Sequence, residues 1–129
     1  MQKADKFQQA YCVSEKQYNG FVDIFGDRNP LHTDEGFALA HGMRGKVMHG
    51  NILNGFISHF LGECLPVKNV IIHSQSIVYS RPVFLDDRLM LDAEITGFYG
   101  AVNAYEFKFT FTKDSGEKVA RGSVQIGLI

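Results

Sequence analysis

The sequence has no tryptophan, two cysteines, three prolines and almost no imbalance of charge. Each shortage excludes something. Cys12 and Cys64 fall in apolar-periodic stretches without metal-ligand spacing. That rules out a disulfide framework and is expected of reduced core thiols in a cytoplasmic protein. Thirteen Lys and Arg against fourteen Asp and Glu leave a formal charge of −1, so there is no polybasic footprint for nucleic acid or a membrane surface. No stretch approaches the ~18 consecutive apolar residues of a membrane span. Met1-Gln2-Lys3-Ala4-Asp5 leads into no apolar run, so no signal peptide is read. No repeat or low-complexity linker divides the chain, and its 129 residues fit one domain over 1–129. What is present is 45% hydrophobic and 12% aromatic, including 11 Phe, enough to build a core.

Alternating apolar positions, among them Phe7 and Tyr11, predict a short first strand over 6–13. Ser14-Glu15-Lys16-Gln17 reads as a capping box, with Gln three residues after the N-cap Ser. Tyr18, Phe21, Val22 and Phe25 then recur on one helix face. Thr33-Asp34 is placed to cap a short helix over 35–40, with Phe37 and Ala38 inward. A loop from His41 to Met48 is rich in Gly and basic residues and ends at His49-Gly50. There a long helix begins: Ile52, Leu53, Phe56, Ile57, Phe60, Leu61 and Cys64 recur at helical spacing. A second stripe of Asn51, Gly55, Ser58 and Gly62 is small or polar, so this helix is expected to be packed nearly all round until Pro66 ends it.

From Val70 the period becomes two. Strands are predicted over 70–80, over 89–96, over 105–112 and over 119–126. A turn is expected at Gly97-Phe98-Tyr99-Gly100 and a hairpin at Asp114-Ser115-Gly116. Helices followed by an antiparallel meander give an α+β architecture.

The stretch Gly26-Asp27-Arg28-Asn29-Pro30-Leu31-His32 carries the chemistry. On an unbroken helix, positions i and i+5 point about 140° apart and would not share a site. Pro30 breaks the helix and biases Asn29 away from it. Asp27 then sits where a helix stops and His32 just past the turn, so both can converge on one small molecule. Such a pair can activate a water and deliver a proton. The plainer reading is a helix exit at Asn-Pro with a surface Asp and a structural His.

The stretch resembles the signature of the (R)-specific enoyl-CoA hydratases, the MaoC-like branch of the hot-dog fold. Phe21, Ile24, Gly26-Asp27, Asn29-Pro30-Leu31-His32 and Ala38 fill its pattern. The similarity continues in His49-Gly50, in Gln75-Ser76 and in Arg81-Pro82-Val83-Phe84-Leu85-Asp86-Asp87. Two residues depart from it. Phe25 stands where the family has a small residue, which bears on acyl-pocket size, and Asn51 follows His-Gly where the family has an apolar residue.

The resemblance implies a single hot-dog domain with a long central helix wrapped by a curled antiparallel sheet. It implies reversible hydration of a trans-2-enoyl thioester to the (R)-3-hydroxyacyl thioester, with Asp27 and His32 as the catalytic pair. It assigns Gly50, at a helix N-terminus, as oxyanion donor through its backbone N–H, against the plainer reading of a helix-starting Gly after a loop, with Asn29 holding the turn or orienting the pair. It places Ser58 toward the site, with close packing as the competing reading. Gln75 and Ser76 are either ligand contacts or partners for buried backbone. The substrate expected is an acyl-CoA, with no cofactor and no metal, in a homodimer with sites at its interface.

His59 and Glu63 share a helix face but lack a third ligand. His49 is read as shaping its loop. Arg44, Lys46 and Lys68 are either coenzyme A phosphate contacts or a solvated basic face. Two rival functions stand beside the hydratase. A hot-dog thioesterase would carry its carboxylate near the central helix, where only Glu63 at the far end is found. A non-catalytic acyl-thioester binding module would need neither Asp27 nor His32.

Overall fold

The computed structural model describes residues 1–129. Strand β1 (Lys6–Cys12) alternates strictly, with Phe7, Gln9 and Tyr11 half-buried and Cys12 on the exposed parity. Cys12 is therefore not a core thiol: its strand has an even number outward and Cys12 falls on that face. Helix α1 (Glu15–Phe25) starts from the expected box, in which the Ser14 hydroxyl accepts from Gln17 N and the Gln17 side chain accepts from Ser14 N. It ends at Gly26 in the left-handed region (φ 72°), whose N–H donates to the Val22 carbonyl at 2.8 Å.

Helix α2 (Pro30–Thr33) was not expected as a helix. Asn29 caps it and Pro30 occupies its first position, where a missing N–H costs nothing. Helix α3 (Glu35–Ala40) follows, capped by the Asp34 side chain accepting from Phe37 N at 3.0 Å. Ala38 is buried as expected, but Phe37 is exposed and stacks on His41 instead of facing inward.

Helix α4 (Asn51–His59) runs without interruption into a π-helical turn over Phe60–Cys64. The wider turn changes which residues share a face. His59 Nδ1 comes within 3.9 Å of Cys64 Sγ and 2.9 Å of the Tyr11 hydroxyl, while Glu63 turns to Lys68. The apolar stripe of α4 is buried, but Asn51, Gly55, Ser58 and Gly62 are exposed. Within one chain the helix is thus covered on one side only, not all round.

Strands β2 (Val70–Tyr79), β3 (Arg88–Tyr99), β4 (Ala104–Lys113) and β5 (Lys118–Leu128) join β1 in one antiparallel sheet, in the order β1-β3-β4-β5-β2. A register shift between Ile95 and Gly97 absorbs the glycine into β3. The strand therefore continues through Phe98-Tyr99, and the expected turn moves to Gly100–Val102, closed by Asn103 at φ 49°. Helix α4 and its π turn pack on this sheet through Phe56 against Tyr11 and Phe111, and Phe60 against Phe7 and Phe107. Phe107, Phe111, Leu89, Leu91, Ile95 and Ile126 complete the core beneath it. No helix is long and apolar enough to cross a membrane.

Candidate active site

The site is built by two chain reversals that meet. At the first, α1 stops at Gly26 and the chain turns through Asp27 to Asn29. The Asp27 Oδ1 accepts from Asn29 N at 3.1 Å, and the Asn29 Oδ1 accepts from Leu31 N at 3.0 Å. These two short side chains replace the backbone partners that a helix would have supplied. Thr33 adds a hydroxyl on the carbonyls of Arg28 and Asn29. Asn29 spends its side chain on the turn and not on a groove.

The second reversal is the loop before α4. Val47 N donates to the Leu31 carbonyl at 3.0 Å, and its own carbonyl accepts from His32 Nδ1 at 2.7 Å. A carbonyl only accepts, so Nδ1 carries the proton and Nε2 is the nitrogen free for chemistry. The Tyr18 hydroxyl donates to the Lys46 carbonyl at 3.0 Å and ties α1 to the same loop; burial pushes that phenol well up from its ordinary range.

These contacts bring Asp27 and His32 together with His49, each offering one side-chain atom within 4.8 Å of the others. Asp27 is exposed, His32 half-buried, and His49 only 2% exposed. The rings of His32 and His49 stack at 4.2 Å and 29°. Imidazole lone pairs lie in the ring plane, so stacked rings aim them side by side and not at a common ion. The geometry suits proton handling better than metal ligation.

Asp27 and His32 each border a groove. A groove of about 860 Å³ between α1 and α4 is lined by Phe21, Ile24, Phe25, Asp27, Gly55 and Phe56. A smaller one of about 390 Å³ holds His32, Gly50, Leu53, Tyr79 and Pro82. The pair sits between the two. Gly50 is the N-cap of α4, has no side-chain cap, and its N–H has no acceptor in the chain. A helix N-terminus with a free donor is suited to a developing negative charge.

Sequence reasoning passed over Tyr79. Its ring lies against Gly50, close enough that a Cβ there would come within 3.1 Å of it. Asn54 Nδ2 donates to the Tyr79 hydroxyl at 3.4 Å, and burial raises this phenol above its usual range. The only signal in the sequence was its place near the end of β2, one residue before Ser80-Arg81-Pro82.

The other candidates are dispersed. Ser58 is exposed on α4, makes no hydrogen bond and lines neither groove. Gln75 bonds Asn54, and Ser76 bonds Ser123 across to β5 at 3.1 Å. Arg44 is paired with Asp87 at 2.8 Å over the Phe84 ring, and Lys68 is held by the Glu63 carbonyl at 2.7 Å. Glu63, the carboxylate a thioesterase reading would use, is exposed beside Lys68.

The profile of the MaoC like domain matches residues 1–115. The chain belongs to the MaoC-like domain family. It is 29% identical over 117 residues to the (R)-specific enoyl-CoA hydratase of Rhodospirillum rubrum, covering 91% of this chain and 81% of that protein. It is 36% identical over 76 residues to the (R)-specific enoyl-CoA hydratase of Aeromonas caviae, a match covering 59% of this chain and 57% of that protein. The likeness to the Aeromonas protein thus spans little more than half its length. Two solved structures share the MaoC-like chain's hot-dog fold. The (R)-hydratase from A. caviae involved in PHA biosynthesis has a TM-score of 0.92 at 24% identity, covering 100% of this chain and 98% of that one. An R-hydratase from Pseudomonas aeruginosa in the unliganded form has 0.91 at 24%, covering 99% and 82%.

Proposed function

We propose that this MaoC-like protein is a hydro-lyase that adds water reversibly to a trans-2-enoyl-CoA, giving the (R)-3-hydroxyacyl-CoA. The observation that carries the proposal is the convergence of Asp27 and His32, with His32 Nε2 left free by the bond from Nδ1 to Val47. An O–H bond of water breaks, a C3–O bond and a C2–H bond form, and the electron pair of the C2–C3 double bond is used. One member of the pair takes the proton from water and the other serves C2 from the same face, which gives a syn outcome. The thioester oxygen gathers charge as C3 is attacked, and the Gly50 N–H at the α4 N-terminus receives it. Both transfers run between water, substrate carbon and side chains, so the step needs no cofactor and no metal.

The apolar groove beside Asp27 accepts the acyl chain, and Phe25, 69% exposed at its rim and packed on Phe21 at 4.8 Å, limits its bore. Residues 1–129 work as a single hot-dog unit in a homodimer. Support comes from the open β2 edge, with Ile71, Ile72, Val78 and Tyr79 exposed, and from the uncovered stripe of α4. Two free thiols, one of them exposed, suit the reducing cytoplasm.

The test is product analysis on crotonyl-CoA. Hydration consumes the enoyl absorbance and releases no thiol. Release of free coenzyme A would instead indicate a thioesterase, and tight binding without turnover on short and long enoyl chains would indicate a binding module.

A further inference from the structure

His49 is the one buried polar or charged side chain of the protein. It is buried in a stack: Phe21 covers one side at 4.5 Å and 29°, His32 the other at 4.2 Å and 29°, and Tyr18 meets its edge at 6.4 Å. Its Nε2 lies 3.0 Å from the Asp27 carbonyl oxygen. Only a protonated nitrogen can bond a carbonyl, so Nε2 donates. Its Nδ1 is buried and has no partner.

Burying an imidazole with one nitrogen unmatched costs free energy that a Phe or Leu at this position would avoid. A residue kept only to shape the loop or fill the core would not need the polar ring. What the ring does supply is a connection. It touches both halves of the pair, the backbone of Asp27 by a hydrogen bond and the ring of His32 by stacking. The turn holds the Asp27 carboxylate through Asn29 N, and Val47 holds one nitrogen of His32, but neither bond links the two residues to each other.

We infer that His49 is a positioning residue that sets the distance and angle between the Asp27 carboxylate and the His32 ring. The inference rests on the Asp27–His32 reading of the site. Its consequence is that the step from α1 to the α4 N-terminus is one rigid unit: Gly50, the oxyanion donor, is the next residue after the ring that holds the pair. Displacing a reacting group by about 1 Å costs on the order of 10²-fold, so a loosened pair loses turnover before it loses binding.

His49→Phe keeps a flat ring between Phe21 and His32 but removes the donor. His49→Gln places an amide N–H near the Nε2 position without the stack. On crotonyl-CoA the expected order of kcat is wild type, then Gln, then Phe, with Phe down about 10- to 100-fold and KM within about threefold of wild type. Equal kcat in folded Phe and wild-type proteins, or a loss confined to KM, would overturn the inference. Asp27→Asn is measured in parallel. If it retains full activity, the pair itself is misassigned; if it is inactive while His49→Phe is not, only the role of His49 falls. Should the Phe variant not fold, proton-detected nitrogen spectra of the wild type decide: a proton on Nε2 and none on Nδ1 is expected, and the reverse tautomer would overturn the donor assignment.

Discussion

At Asn29 one side chain holds the turn that separates the two catalytic candidates. It caps α2 through Leu31 N while Asp27 accepts from its own backbone N–H. Asn29→Ala removes the cap, which is worth about 1 kcal/mol. A thermal melt should show the midpoint lowered by about 4 °C for a chain of this size, and kcat should fall as well, because the same turn aims Asp27. Gly50 is constrained from outside: a Cβ there would meet the Tyr79 ring at 3.1 Å. Gly50→Ala retains the backbone N–H, but its Cβ would press on the Tyr79 ring and displace the α4 N-terminus, so the fold should survive and kcat fall by about 10- to 100-fold, the order of loss for a misplacement of about 1 Å. A circular-dichroism spectrum unchanged from wild type, alongside that loss, separates the effect from unfolding. The Asp27–His32 juxtaposition was legible from Asn29-Pro30, although α1 already ends at Gly26 and Pro30 opens α2 instead of breaking a helix. The role of His49 was not, since a lone His beside a Gly carries no periodic or spacing signal; its burial and its stack appear only when three separate segments meet.

Elements defined by periodicity were read well, and elements defined by a local irregularity were not. The capping box and the stripe of α1, the alternation of β4 and the hairpin at Asp114-Ser115-Gly116 all follow from residue patterns with a single geometric solution. The π turn at the end of α4 is different. Phe60 and Leu61 continue the i, i+4 stripe of Phe56 and Ile57 into the core, and the widening to a π turn over Phe60–Cys64 leaves no mark in that pattern. The same holds for the bulge after Ile95, which hides Gly97 inside a strand. Strand β5 carries the clearest steric demand. A Cβ at Gly122 would overlap the Ser76 carbonyl oxygen and crowd Phe109. Gly122→Ala should destabilise the protein by about 3 kcal/mol, at the upper end for overpacking, and a urea titration should show the midpoint reduced accordingly.

On the scale of the whole molecule, the fold class was legible because helices precede a meander and the family motif selects among the architectures that order permits. What a single chain's periodicity did not disclose is which helix face is covered by the chain itself. The stripe Asn51, Gly55, Ser58 and Gly62 looked like a packed surface, and within one chain it is open. Strand β2 is an edge with apolar side chains exposed along it. An edge of that kind is normally paired or protected. Light scattering after gel filtration should give twice the mass of one chain; the mass of a single chain would contradict the homodimer.

The central claim is that Asp27 and His32 together perform the proton transfers of hydration. It is tested most directly by following enoyl absorbance on crotonyl-CoA with wild type, Asp27→Asn and His32→Ala under one set of conditions. The wild type should turn over, and each variant should lose about 10²- to 10⁴-fold, the usual contribution of a general acid–base group, with the fold intact by circular dichroism. An inert wild type, or variants that match it, would show that Asp27 and His32 do not carry the proton transfers.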